Sequence, residues 1–488
     1  MRVDDYAAMD AVALAAAVRS GELAPLEIVE AAIAAIERLN PALNAVVLAD
    51  FDHARESARR VPRDRSLSGV PFLIKDVDVY AAEWPTTFSS RYFATARPRA
   101  DSEIVRRWRA AGTVFLGKTN TPEFADDFAT EPAFRGPTLN PWNPRLTVGG
   151  SSGGAAAAVA SGMVPVAHGS DIGGSIRVPA ACCGLFGFKP SSGLNPAGPY
   201  FGGRGAGLNC QHVLSRTVRD SAAFLDATAG PEAGGIGRIQ HFVESYVAAL
   251  ERRPGPLRIA CLTERADGTR VSAEVEAAVG EARSLLLGLG HSVSTVQWPV
   301  DVSRAMAGDS WTLLWMMEVA LAIDERAAEL GRGPEAGELE PLAHWIYAHV
   351  CSRSARDYVE AQRAAHMAAT AMAYAFETFD ILLMPTTATL PPPIGAFGAA
   401  CSAFSYEAWC SAAYGFAPFT ELFNVTGQPA ASVPLVQSAG GLPIGIQIVA
   451  PPMRDDILLQ VAASLEAATG WTSRHPDLWA GDTDALRA

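Results

Sequence analysis

Two serines set in glycine turns constrain this chain more than any other feature. Residues 149–154 read GGSSGG and carry Ser151, and residues 171–177 read DIGGSIR and carry Ser175 directly after two glycines. Glycine takes backbone conformations closed to other residues and lets the chain pass close to a ligand. Gly173 and Gly174 can therefore aim consecutive N–H groups at an oxyanion forming beside Ser175. Such a loop pair suits serine chemistry, and it requires a base.

The candidate base is Lys75, near the end of GVPFLIKD at residues 69–76. A short apolar run bounded by turn residues reads as a buried strand. A lysine there is partly desolvated, which disfavours the ammonium and makes a neutral amine accessible near working pH. Activity is then expected to fall as the pH drops and Lys75 gains a proton.

With these residues in view, the chain resembles the amidase signature family. The matching stretch runs from Gly149 through the alanine-rich residues 155–160, then GSDIGGSIRVPA at 169–180 and CGLFGFKP at 183–190, with Lys75 upstream. Shorter family-like pieces follow the same order: GKTNTPE at 117–123, NPWN at 140–143, LMPT at 383–386, FNVTGQPA at 423–430 and PIGIQ at 443–447. Within the family, TEP at 130–132, NPWN at 140–143 and PVAHG at 165–169 are similar to the linear and cyclic amide hydrolases.

The resemblance implies an α/β fold in which a mixed, twisted central β-sheet is flanked by helices on both faces. It also implies hydrolysis of carbon–nitrogen amide bonds through an acyl-enzyme. Carried over residue by residue, Ser175 is the implied nucleophile, Ser151 the bridging serine after a cis Gly150–Ser151 peptide, and Lys75 the base. The N–H groups of Ile172, Gly173, Gly174 and Ser175 are the implied oxyanion hole, where one donor is typically worth about 3 kcal/mol of barrier. No metal or cofactor is implied. Ala125, in the turn at 124–127, is the implied closest position to the acyl group, and Gly150 is taken with it as a substrate-binding position. Arg177 has two readings: it binds a substrate carboxylate, as its counterpart does in some members, or it forms a structural ion pair. Asp171 and Ser170 read as ordering the loop, and Lys118 and Lys189 as structural.

A competing motif has to be weighed, because residues 149–153 also fit G-x-S-x-G, the nucleophile elbow of the α/β-hydrolases. That esterase reading makes Ser151 the nucleophile and needs a strand directly before it, yet residues 140–145 carry two prolines and read as loop. It also needs a partner histidine, and His291, His344 and His349 stand in no recognisable catalytic context. A phosphate-binding loop is disfavoured further, because no Gly-Lys-Ser/Thr follows the glycines. From other classes, a glutaminase-type amidotransferase A subunit predicts glutamine turnover and copurifying subunits, and a silent scaffold predicts an unreactive Ser175.

Composition narrows the partners. Hydrophobic residues make up 49% and charged residues 19% of 488, enough for a sizeable core. The net charge of −13 argues against nucleic acid and anionic membranes. Seven cysteines, with only Cys182 and Cys183 adjacent, suggest neither a disulfide framework nor paired metal ligands, so a reducing, cytoplasmic compartment is expected. The apolar residues 11–18 follow Asp4, Asp5 and Asp10 rather than a basic segment, which reads against a signal peptide. The expected partner is a small-molecule amide, apolar or aryl, with carbamates and esters open to the same acyl transfer. A homodimer is compatible with all of this.

Coarsely, one domain over 1–488 is expected: a helical hairpin at 1–45, a signature core at 65–230, and a remainder at 231–488 that completes the sheet and elaborates the pocket. Leu26, Val29, Ile33 and Ile36 space an amphipathic helix over 25–39, with the preceding alanine-rich helix as its partner. Residues 112–116 read as strand and 153–161 as a small-residue helix able to approach a sheet closely. The glycine- and proline-rich run at 190–237, including 199–205, reads as loop bordering a site. Trp311, Trp315 and Met317, in the segment 306–321, read either as core or as the wall of an apolar pocket, and residues 416–423 share that ambiguity.

Overall fold

The computed structural model describes residues 1–197, 204–232, 243–264, 268–299, 302, 310–399, 401 and 403–482. Among them, eleven strands form one sheet: β1 (Val46–Ala49), β2 (Pro71–Lys75), β3 (Val114–Thr119), β4 (Val166–Asp171), β5 (Phe186–Lys189), β6 (Cys210–Ser215), β7 (Arg258–Cys261), β8 (Ser292–Thr295), β9 (Ile381–Pro385), β10 (Ala430–Gln437) and β11 (Pro443–Val449). Their order across the sheet is β1-β3-β2-β4-β6-β5-β10-β11-β9-β7-β8. β2 pairs in parallel with β3 and β4, and β7 with β8 and β9, while the other pairs are antiparallel. The sheet is mixed, as expected.

Alternation along the strands shows why both faces are covered. Leu73, Leu116, Ala167 and Leu214 enter one apolar cluster, while their neighbours Phe72, Phe115, Val166 and Val213 enter another. Successive strand residues point to opposite faces, so these strands need an apolar layer on each side. The helix Gly153–Ala160 covers one face with its eight residues all buried. Its small side chains permit close approach: a Cβ on Gly154 would lie 2.6 Å from the Ala45 carbonyl oxygen. Trp108 and Phe224, from the helices Glu103–Ala111 and Val218–Thr228, cover the other face.

The N-terminal region departs from the expected hairpin. Helices form at Ala11–Ser20 and Pro25–Leu43, but their main partners lie elsewhere. Pro25–Leu43 packs against Val3–Ala8 and the helix Phe51–Arg60, and Ala11–Ser20 against Val218–Thr228. The polar cause is Asp220, whose carboxylate accepts the N–H groups of Ala11 and Val12 at 3.0 Å each. It satisfies helix-terminal donors that a hairpin neighbour would leave open. The strand expected at 112–116 runs over Val114–Thr119. In the run 199–205, residues 199–203 lie outside the described residues, as do 306–309 of the tryptophan segment. No described helix is long and apolar enough to cross a membrane.

Candidate active site

The site assembles where β2 and β4 end and two turns meet. β2 is buried along its whole length and ends on Lys75, which is fully buried. Lys75 Nζ donates to Ser151 Oγ at 2.7 Å and to Ser170 Oγ at 2.9 Å. The Lys75 backbone N–H donates to His168 Nδ1 at 3.3 Å, and His168 Nε2 contacts Gln211 Oε1 at 2.8 Å. Burial pushes His168 down to about 3, so the ring is neutral and its Nε2–H is the group that faces Gln211. It braces the strand end without adding charge.

Ser151 precedes the helix Gly153–Ala160, and its peptide bond with Gly150 is cis. A Cβ on Gly150 would meet the carbonyl oxygens of Asp127 and Ala129 at 2.6 and 2.7 Å, so only glycine fits. The position of Gly150 in the turn is set by this backbone crowding. The Ser152 N–H donates to the Ser175 carbonyl at 3.1 Å, which ties the two turns together. Ser151 is fully buried, whereas Ser175 is 8% exposed and lies in the wall of a pocket.

Behind Ser175, a dense polar cluster holds the loop. Asp171 carboxylate oxygens accept the N–H groups of Gly174 at 2.9 Å and Ile176 at 3.1 Å. The Arg177 guanidinium donates to both Asp171 oxygens at 3.0 and 2.7 Å, to Gln447 Oε1 and the Thr420 carbonyl at 2.7 Å each, and to Asn424 Oδ1 at 2.6 Å. Burial alone would raise the Asp171 pKa, but the Arg177 charge and hydrogen bonds outweigh it and hold the carboxylate at about 2. Two expectations are corrected here. Arg177 is fully buried with its donors taken up by protein, so it is a structural ion pair and not a substrate-binding residue. The Gly174 N–H is committed to Asp171, so the donors left to face an oxyanion are those of Ile172, Gly173 and Ser175. Lys118 pairs with Asp76 at 3.1 Å and Lys189 donates to the Pro190 carbonyl at 2.9 Å, both structural as expected.

The pocket in front of Ser175 is floored by Ala125, Ile172 and Gly173. Its aromatic wall is organised around Tyr414, which packs edge-to-face with Phe128, Trp311 and Trp409 at ring-centroid distances of 5.8, 6.4 and 6.0 Å. Trp315 completes the wall from the helix Leu313–Leu330. Met317, on the same helix, is 37% exposed and absent from the wall, so its expected contact with substrate is corrected. One helical turn separates Trp311 from Trp315, and Met317 falls on the outer face. Three carboxyls also line the pocket: Asp126, Asp127 and Glu421. Sequence reasoning reached residues 124–127 as facing the acyl group and left 416–423 open between core and pocket wall, without singling out these acids, and it missed Trp409 and Tyr414.

The nucleophile-elbow reading loses its geometry. The segment before Ser151 is loop, Ser151 Oγ is bound by lysine, and His291 instead accepts the Leu257 N–H at 3.2 Å. Among the described residues, no group of three or more His, Cys, Asp or Glu is placed to hold a metal ion.

Known proteins are similar to this chain over almost its whole length. A family model described as Amidase matches residues 27–459. The 6-aminohexanoate-cyclic-dimer hydrolase of Paenarthrobacter ureafaciens is 37% identical over 486 residues, covering 96% of each chain. A solved structure of 6-aminohexanoate cyclic dimer hydrolase superposes with a TM-score of 0.92 at 34% identity, covering 97% of this chain and 99% of that one. A bacterial aryl acylamidase of the amidase signature family gives 0.87 at 29% identity over the same shares. The similarity to cyclic amide hydrolases seen in residues 130–132, 140–143 and 165–169 extends across the whole chain.

Proposed function

Because the chain belongs to the amidase family and is a hydrolase acting on amides, we propose that it cleaves small amides through an acyl-enzyme on Ser175, with Ser151 and Lys75 as the proton relay. The observation that carries this is the 2.7 Å contact between Lys75 Nζ and Ser151 Oγ, in a turn tied to Ser175 at the pocket wall. A neutral Lys75 takes the Ser151 proton as Ser151 takes that of Ser175, and Ser175 Oγ attacks the carbonyl. The N–H groups of Ile172, Gly173 and Ser175 receive the oxyanion. Ser151 then protonates the leaving amine, and water attacks the acyl-enzyme by the same relay. The acyl group, aryl or alkyl, lies beside Ala125 on the Trp311–Trp315 wall, and carbamates and activated esters enter by the same chemistry.

The test is turnover of a p-nitroanilide, an aliphatic amide, a cyclic amide dimer, an aryl carbamate and glutamine by the wild type beside Ser175→Ala, Ser151→Ala and Lys75→Ala. Ser175→Ala is expected to lose on the order of 10³-fold or more in kcat, as removal of a nucleophile does, with the other two variants crippled. Retained activity in Ser175→Ala, with loss only in Ser151→Ala, would sink the relay. Preference for glutamine would move the chain to the amidotransferase subunits.

A further inference from the structure

The pocket walls combine two chemistries that are rarely placed together without reason. Tyr414, Trp409 and Trp311 form an aromatic box, yet Glu421 and Asp126 enter the same space. Glu421 Oε2 and Asp126 Oδ2 are buried without a hydrogen-bond partner, and no lysine or arginine lines the pocket among the described residues. Asp127 differs, because its Oδ1 accepts the Trp409 indole N–H at 3.2 Å and so sets the tilt of that wall. Glu421 lies close to the reacting centre: a Cβ built on Gly173 would sit 4.0 Å from Glu421 Cβ.

A purely apolar ligand would leave these carboxyls unpaired at a cost, since a buried polar group without a partner forfeits its hydration. A cation reverses the sign. Indole and phenol faces attract ammonium groups, most strongly when water is excluded, and an ammonium supplies the missing counter-charge. We propose that the amides accepted by this pocket carry a cationic, alkyl-substituted amine, held between the aromatic box and the carboxylates of Glu421 and Asp126. This deepens the proposed hydrolysis and rests on it for the location of the scissile bond.

The protonation states support the assignment. Burial pushes Glu421 up to about 8. Burial, followed by the nearby Glu123, raises Asp126 well above the usual carboxylate range, and the Lys75 charge only partly opposes this. Of the neighbouring groups, Asp127 is likewise raised by burial to about 8, and burial, then Glu421, raises the Tyr414 phenol. Glu421 and Asp127 are thus held protonated near neutral pH, and an entering cation favours the ionised form of each acid it meets.

The experiment compares shape-matched amides that differ only in charge: ω-trimethylammonio alkanamides and their tert-butyl twins, with one to four methylenes between the head group and the amide. Binding is measured by calorimetry on Ser175→Ala, and hydrolysis on the wild type. At the best chain length the cation is expected to bind at least tenfold more tightly than its twin. Glu421→Gln should erase most of that preference while changing affinity for the twin less than threefold, and Asp126→Asn should act in the same direction. A tert-butyl twin that binds as well as or better than the cation at every length overturns the proposal, as does the absence of binding by either. Tight cation binding without Ser175-dependent hydrolysis would instead overturn the acyl-enzyme reading and leave the cation site standing. Hydrolysis with a preference for the neutral twin would do the reverse.

Discussion

Asp171 and Glu421 flank the same loop and meet opposite fates. Asp171 is fully buried and faces the Arg177 guanidinium and several N–H donors, whereas Glu421 is half-buried, with its Oε2 closed to solvent, and faces aromatic rings and open space. The first is held at about 2 and the second is pushed up to about 8. Burial acts in the same direction on both, and the partner sets the outcome. One carboxylate is therefore a structural member, complete in the resting protein. The other is completed only when something else arrives.

The sharpest way to break this contrast is to strip Asp171 of its partner. Arg177→Leu leaves a buried, uncompensated carboxylate, and the expected loss is about 3–5 kcal/mol of unfolding free energy, measured by denaturant melts. A loss below 1 kcal/mol would mean that the cluster is dispensable.

A second prediction uses the opposite signs. Asp171 has a depressed pKa, so its contribution is present above the unfolded value of about 4 and disappears as pH falls towards 2. Glu421 has a raised pKa, so its contribution is full below about 4.5 and is lost as pH rises through 8. Glu421→Gln should therefore be more stable than wild type at pH 8, on the order of 2 kcal/mol, with no gain near pH 4. Thermal melts across that range decide it; an equal offset at both pH values would show that the Glu421 pKa is not raised in the folded state.

The third, smaller effect separates neighbouring glycines. Gly174 has φ +134° and a Cβ there would collide with Thr420 Oγ1, so Gly174→Ala is expected to cost about 2 kcal/mol and distort the loop. Gly173 faces the pocket with 4.0 Å of clearance. Gly173→Ala should fold within about 1 kcal/mol of wild type and lose affinity for bulky acyl groups. Equal melts for the two variants would contradict the assignment of their roles.

Much of the reacting centre could be read from the chain because backbone geometry writes itself into local sequence. The turns around Ser151 and Ser175 require glycines at fixed offsets, and the buried strand before Lys75 announces itself by its apolar run. The mixed sheet was an expectation of the family resemblance, and the split of Phe72 and Leu73 between opposite faces explains why both of its sides are covered. The pocket could not be read this way. Trp311, Trp409, Tyr414 and Glu421 come from segments far from the glycine turns, and nothing local marks an acid that will face inwards. The tryptophan helix was legible as a face but not as a direction, so Met317 was grouped with Trp315 although it points outwards. Arg177 remained ambiguous for a related reason: Gln447, Asn424 and the Thr420 carbonyl, which take up its donors, lie hundreds of residues away.

One adjacency links the two halves of the contrast. Thr420 Oγ1 donates to the Gly173 carbonyl at 2.6 Å, and the next residue is Glu421. The same peptide that clamps the nucleophile loop thus presents the group proposed to select the ligand, so the two share one mechanical support. A substitution that shifts the backbone of this segment, unlike one that changes only the Glu421 head group, disturbs the loop as well. Lineages that alter their diet without slowing down are expected to do so from the opposite wall, at Trp311 or Trp409, where the backbone carries no such double duty.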